Sequence, residues 1–175
     1  MVEIAEGCVL TRLPDTMRLI LQGRPAALEA AAGALGLERV PPLLRAAKGT
    51  GGVALRLGPF ELEILPAEVG YEKLETALVG VPHSLVEISD RNVALTLEGA
   101  RAADVLAALC PLDFALSAFP IGMVTRTLLD KAGAVVWRTA PHTFHIEVWR
   151  SFIPYLEGQL RDVARGIVFD LLAVQ

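Results

Sequence analysis

The chain has 175 residues, 53% of them hydrophobic but only 6% aromatic, with 20 acidic against 16 basic side chains and a net charge of −4. That balance leaves no basic footprint for nucleic acid and no lysine-rich run for a membrane surface, and charges interrupt every apolar run well before the roughly 18 residues of a membrane span. A mean hydropathy of +0.49 is high for a soluble protein, so the surplus apolar surface reads as a partner interface, with an unusually greasy lone domain as the alternative.

The length allows one domain with a substantial core, or two small fused halves. The first residues, M-V-E-I-A-E-G, lack the basic and apolar regions of an export signal, so a cytoplasmic protein is expected. Cys8 and Cys110 stand alone, without C-x-x-C spacing or a nearby histidine, and read as reduced structural thiols. Residues 17–22 alternate Met17, Leu19 and Leu21 against Arg18, Ile20 and Gln22, which predicts a strand ended by Gly23. Pro25 suits a first helical position, and A-A-L-E-A-A-A-G-A-L-G-L carries the single charge Glu29, so a helix buried on most sides is expected. Val40, Pro41 and Pro42 break it.

Residues 48–52, K-G-T-G-G, invite comparison with a phosphate loop, since clustered glycines let backbone N–H groups approach an anion. The run is not G-x-x-x-x-G-K-[ST] and no helix follows it, so a flexible loop into the next strand is the expected role. Residues 53–57 and 60–65 then predict a hairpin around Gly58 and Pro59, with Phe60, Leu62 and Ile64 inward, and residues 71–79 a short helix.

From Ser84 the layout starts again. Residues 84–88 predict a strand, Ser89 and Asp90 a tight turn, and residues 91–97 a strand with Val93, Leu95 and Leu97 on one face. Gly99 precedes an alanine-rich helix that stops at Cys110 and Pro111. Residues 125–156 spell strand, hairpin, strand and helix start without a break, and they contain both tryptophans. Phe144, Ile146 and Val148 alternate with His145, Glu147 and Trp149. At Arg150 and Ser151 the period changes to 3.6: Ser151 is the expected N-cap, Pro154 fits a first turn, and Ile153, Leu156, Leu160, Val163 and Ile167 form an apolar stripe.

Two passages echo each other. L-Q-G-R-P-A-A-L-E-A at 21–30 parallels L-E-G-A-R-A-A-D-V-L at 97–106, and the turn at Gly58 and Pro59 parallels that at Ala140 and Pro141. The expected architecture is therefore α+β: a duplicated strand–helix–hairpin–helix unit, with half-repeats at 1–82 and 83–175 in one compact domain and strands from both halves joining one antiparallel sheet with helices packed on it.

No chemistry assembles from these residues. His142 and His145, three apart, fall on opposite faces of an extended strand unless Pro141 turns the chain, and no cysteine or carboxylate cluster completes a metal site with them or with His83. His145 and Glu147 share a face with Trp149 and read as a surface pair or partner contact. Ser84, Ser89, Ser117 and Ser151 each have a local structural role, and none sits in G-x-S-x-G. Asp90 and Arg91 suggest a local ion pair. Trp137 and Trp149 are expected near one another as core or interface anchors, with flavin or pterin stacking as the alternative. Arg150 is expected to fix the strand-to-helix corner through carbonyl or carboxylate contacts. No G-x-G-x-x-G opens a helix after a strand. No residue is assigned a catalytic, cofactor-binding or metal-binding role.

The runs V-V-W-R and T-F-H-I-E-V-W-R-S-F-I-P-Y-L resemble the C-terminal signature of the gamma subunit of heterotetrameric sarcosine oxidase. So do S-D-R-N-V-A-L-T-L-E-G-A-R-A-A-D-V-L at 89–106, C-P-L-D-F at 110–114 and A-F-P-I-G at 118–122. The resemblance covers residues 84–160 well and the first 80 only in layout. It implies a fold similar to the folate-binding domain of aminomethyltransferase, the glycine-cleavage T-protein. It also implies a non-catalytic, cofactor-free subunit docked chiefly on alpha, beside beta and delta, in an oxidase of sarcosine catabolism and one-carbon metabolism. In that family alpha carries NAD and a folate site, beta carries FAD and covalent FMN, and delta binds zinc. The complex demethylates sarcosine to glycine with tetrahydrofolate as acceptor and makes hydrogen peroxide. The tail I-V-F-D-L-L-A-V-Q at 167–175 is an expected docking element. The alternatives are an independent folate-binding aminomethyltransferase-like protein, whose iron–sulfur-related branch signature K-G-C-Y-x-G-Q-E is absent here, and a gamma-like subunit of another amine or imino-acid oxidase.

Overall fold

The computed structural model describes residues 2–5, 7–67 and 70–173, apart from the side chains of residues 5 and 167–173. Eleven strands and four α-helices follow one another as β1 (Val2–Ala5), β2 (Cys8–Arg12), β3 (Leu19–Gly23), α1 (Pro25–Ala34), β4 (Ala46–Gly49), β5 (Gly52–Gly58), β6 (Glu61–Pro66), α2 (Gly70–Leu78), β7 (His83–Glu87), β8 (Asn92–Glu98), α3 (Ala102–Leu109), β9 (Val124–Leu129), β10 (Ala132–Ala140), β11 (Thr143–Trp149) and α4 (Ile153–Ala173). The chain divides into two units, Thr16–Ser89, and Met1–Asp15 with Asp90–Gln175.

In the first unit, β4-β5-β6-β3-β7 form an antiparallel sheet. The two-residue period puts Leu19 and Leu21 of β3 opposite Ile64 and Leu62 of β6, and all four are buried. Against them lie Ala27, Leu28 and Ala31 of α1 and Leu74 and Leu78 of α2. Pro25 opens α1, where a missing N–H costs nothing. That helix is less enclosed than its composition suggests: Ala26, Glu29 and Gly33 form an exposed face. Small residues, lacking bulk to bury, are tolerated there. Phe60 also departs from expectation. It belongs to the turn before β6, outside the pleat that turns Leu62 and Ile64 inward, and is 57% exposed.

In the second unit the order is β1-β2-β8-β11-β10-β9, again antiparallel. Val93, Leu95 and Leu97 of β8 face Val148, Ile146 and Phe144 of β11, and α3 and α4 cover them through Val105, Leu106, Ile153, Leu156 and Leu160. Val163 packs partly on this core and Ala164 is buried in it; the side chain of Ile167 lies outside the described residues. Arg150–Phe152 form a 3-10 turn, so Ser151 sits inside that turn rather than one residue before a helix.

Strands from the two sequence halves form two sheets, not one. Each sheet still takes a strand from the other half, since β2 pairs with β8 and β7 with β3. The turn at Ser89–Asp90 therefore carries the chain from one sheet to the other. The element order β3-α1-β4-β5-β6-α2 repeats as β8-α3-β9-β10-β11-α4. One corner matches to the bond: Gly23 N donates to Phe60 O at 3.0 Å, and Gly99 N to His142 O at 2.9 Å.

Arg18, Glu63, Arg138 and Glu147 are charged residues that the fold buries, and Arg138 shares its strand face with the apolar core of the second unit. Parity along β10 puts Arg138 on the same face as Ala134 and Val136, and it is only 2% exposed. Its guanidinium sits 4.5 Å from the Phe144 ring centroid and donates through Nη2 to the Phe114 carbonyl at 2.6 Å. Phe114 in turn packs on Phe119 and Phe144, with centroids 5.2 and 5.7 Å away. Burial pulls the guanidinium below its ordinary pKa. The backbone of the same residue holds Gly122 N and Met123 O, so Arg138 fastens the segment between α3 and β9 at both ends. Replacing Arg138 by Ala leaves a void and an unpaired buried carbonyl, and a loss of about 2–4 kcal/mol is expected in urea unfolding. Arg138→Met, which refills the space without a charge to desolvate, should recover most of it.

Candidate interaction surface

The outer face of the β10–β11 hairpin carries the polar and aromatic residues singled out in the sequence. Trp137 lies opposite His145 in the register, with ring centroids 5.7 Å apart, and His145 Nε2 is 2.8 Å from Glu147 Oε1. This is not a surface pair. The Glu147 side chain is fully buried and that of His145 is 12% exposed, because the strand buries this face as well as the core face. The Trp137 indole N–H is buried with no acceptor within reach. Trp149 is far from Trp137: it lies four residues beyond His145, about 13 Å along a strand.

Trp149 instead begins an aromatic strip at the strand-to-helix switch. It meets Phe152 edge-on at 6.5 Å, and Phe152 meets Tyr155 at 6.4 Å. Trp149 is 53% exposed, and the Arg91 guanidinium lies over its ring at 5.8 Å. Arg91 also donates to Asn92 Oδ1 at 3.2 Å. The Tyr155 hydroxyl donates to Asp130 in the β9–β10 turn, a bond that holds its phenol above the usual pKa, with burial adding to the effect. Arg150 fixes the corner as expected, donating from Nε to the Asp90 carbonyl at 3.0 Å and from Nη2 to Asp15 at 3.4 Å, while its own N–H reaches the Arg91 carbonyl at 2.7 Å. An exposed Trp with a half-buried Phe and Tyr beside arginine is a composition enriched at protein interfaces.

The remaining candidates are structural in this fold. K-G-T-G-G forms the tight connection between β4 and β5. Its glycines answer a steric need: a Cβ on Gly49 would stand 2.0 Å from the Leu35 carbonyl oxygen, and Gly51 N donates to that same oxygen at 3.0 Å. The turn thus closes the carbonyl end of α1. Cys8 and Cys110 are buried and free; burial raises the Cys8 thiol pKa, and Cys110 Sγ contacts Thr127 Oγ1 at 3.1 Å. His83 Nδ1 lies 2.7 Å from the Val81 carbonyl. Among the described residues, no three His, Cys, Asp or Glu side chains are grouped to hold a metal ion, and no helix is long and apolar enough to cross a membrane. An opening of about 940 Å3 at the end of β3 borders Phe60, Pro25, Pro59 and Pro82, with Arg24 and Glu61 as its charged lining residues, and presents mainly apolar surface.

The family model described as sarcosine oxidase, gamma subunit family matches residues 22–165. The gamma subunit of sarcosine oxidase from Arthrobacter sp. is 34% identical over 123 residues, 69% of this chain, and the chain spans 60% of that relative's length. The gamma subunit from Corynebacterium sp. (strain P-1) is 33% identical over 140 residues, 78% of this chain and 68% of its own length. A chain of the heterotetrameric sarcosine oxidase from Corynebacterium sp. U-96, solved with pyrrole 2-carboxylate, superimposes with a TM-score of 0.83 at 26% identity, covering 91% of this chain and 84% of that one. The aminomethyltransferase T of the glycine cleavage system from Bartonella henselae shares the fold, with a TM-score of 0.68 at 18% identity over 91% of this chain and 49% of its own.

The steric account of K-G-T-G-G is directly testable. Gly49→Ala should lower stability by about 1–3 kcal/mol in urea unfolding, since backbone rather than a flexible side chain blocks the methyl group. Lys48→Ala, which removes the charge a phosphate loop would use, should leave stability within about 0.5 kcal/mol.

Proposed function

Since this chain belongs to the sarcosine oxidase gamma subunit family, we propose that it is the gamma subunit of a cytoplasmic heterotetrameric sarcosine oxidase and contributes surface, not reactive groups, to that assembly. The assembly oxidatively demethylates sarcosine to glycine, passes the one-carbon unit to tetrahydrofolate and releases hydrogen peroxide. Companion chains carry FAD, FMN, NAD, the folate site and zinc. This subunit docks chiefly on alpha, alongside beta and delta, and has no catalytic, cofactor-binding or metal-binding residues of its own. The observation that carries this reading is the match to a chain of a heterotetrameric sarcosine oxidase over 91% of the length at a TM-score of 0.83. The strip of Trp149, Phe152 and Tyr155 supplies a surface of interface composition.

Residues 1–82 and 83–175 are, on the same reading, diverged copies of one unit. The repeated element order and the paired Gly23–Phe60 and Gly99–His142 bonds support this. A fold shared with an aminomethyltransferase does not bring a folate site with it, because function lies in the site and not in the fold.

Co-expression with companion alpha, beta and delta chains should yield one assembly by mass analysis, with sarcosine-dependent peroxide production, and Trp149→Ala should weaken association about tenfold or more while leaving the isolated chain folded. Turnover of an amine by the isolated chain, or its binding of tetrahydrofolate at micromolar concentration in calorimetry, would overturn the reading.

A further inference from the structure

The two sheets differ at one edge. In the unit that contains the C-terminal half, β2 is covered on its outer side by β1, which pairs with it antiparallel, Val2 opposite Leu10 and Glu3 opposite Val9, and turns Ile4 into the core. The corresponding strand in the other unit is β7. It runs antiparallel to β3 as β2 runs antiparallel to β8, and Leu85 opposite Leu21 takes the place of Leu10 opposite Leu97. Among the described residues nothing pairs with the outer side of β7, the last strand of its sheet, and His83, Ser84, Val86 and Glu87 are exposed.

The register identifies the open backbone groups. Ile88 N donates to Arg18 O at 2.8 Å, which makes Arg18 and Ile88 a hydrogen-bonded pair. Alternation along an antiparallel ladder then makes Ile20–Val86 and Gln22–Ser84 bonded pairs too. The N–H and C=O groups of His83, Leu85 and Glu87 therefore point away from β3. They form a row of donors and acceptors on a strand with no proline, no lysine and no register shift, the features that ordinarily blunt an edge.

A groove of about 430 Å3 lies beside this edge, between β7 and the end of α2. Leu78, Val79 and Leu85 give it apolar walls, Glu75 and Glu87 make it acidic, and neither lysine nor arginine lines it. The Tyr71 phenol is held above its usual pKa first by its hydrogen bond to Glu75 and the charge of Glu75, then by desolvation and last by the charge of Glu87, so both carboxylates act on one opening. We propose that the open edge of β7 is a strand-addition site for an extended segment of a companion chain. That segment places an aliphatic side chain in the groove, as β1 places Ile4, and directs a lysine or arginine at Glu75 and Glu87. This role for β7 presupposes the subunit reading.

The test uses the double variant Glu75→Lys, Val79→Asp, both positions exposed on the isolated chain, with Glu29→Lys on the open face of α1 as the control. The double variant should keep its circular dichroism and urea midpoint yet bind the companion chains at least tenfold more weakly, while the control binds as the wild type does. Amide-resolved hydrogen exchange gives a second readout: His83, Leu85 and Glu87 should gain protection on assembly, whereas Ser84 and Val86 are protected before and after. Unchanged affinity of the double variant, or continued fast exchange at the three open amides in the assembly, overturns the proposal and leaves the subunit reading standing. A self-associated dimer of the isolated chain that protects the same amides assigns the edge to a second copy and also overturns it. A wild-type chain that does not assemble removes both.

Discussion

The constraint on which each unit depends is the pairing of the first strand of the repeated element order with its last: β3 with β6, and β8 with β11. Antiparallel pairing in register places Leu19, Leu21, Leu62 and Ile64 on one face of one sheet, and Val93, Leu95, Leu97, Phe144, Ile146 and Val148 on one face of the other. Each fully buried aliphatic or aromatic side chain is worth about 1.5–3 kcal/mol, whereas an exposed ion pair such as Arg101–Asp104 adds about 0–1 kcal/mol. The helices then have one place to lie. A one-residue slip in either ladder would turn all of these side chains to the wrong face.

Within that frame the polar residues act as fasteners. Arg150 ties the end of β11 to the Asp90 carbonyl, and Arg138 ties the segment between α3 and β9 to the core through one carbonyl and one phenyl face. A planar guanidinium suits both places: in Arg138 it serves a carbonyl at its edge and a ring on its face, and in Arg150 its forked donors reach a carbonyl and a carboxylate at once. The K-G-T-G-G turn achieves closeness in the opposite way, by having no side chains where the end of α1 must approach.

Much of this was legible in the sequence because it is periodic. Alternation at 143–149 and 91–97 identified the buried sets of β11 and β8, and the shift to a 3.6 period at Arg150 located the entry to α4 within a few residues. The repeated element order was legible in the echo around Gly23 and Gly99. What failed depended on pairing, which a single strand does not carry. Trp137 and Trp149 share a face but not a neighbourhood, since the hairpin register sets Trp137 against His145. Phe60 looked inward by parity, yet parity does not extend into a turn. Glu147 was expected near solvent because it opposes Ile146 and Val148, an inference valid only for a sheet with one wet face. Arg138 went unremarked although its parity with Ala134 and Val136 was the available signal. The open edge of β7 could not be read at all, because which strand is last in a sheet is decided by residues far away in the chain.

The exchange of β2 and β7 between the sequence halves also bears on how quickly the chain can reach this structure. Val9 finds its partner at Glu98, and β2 must wait through the whole of the intervening sheet before its ladder exists. Such distant pairing raises the contact order and costs loop-closure entropy before any bond offsets it, so folding is slower than for a chain whose strands pair only with sequence neighbours. During synthesis β2 can pair with its neighbour β1, but its other edge stays open until β8 follows, so Leu10 and Cys8 lack their core on a nascent chain. The topology that gives each sheet a strand from the other sequence half thus lengthens the interval in which the polypeptide can aggregate before it is complete.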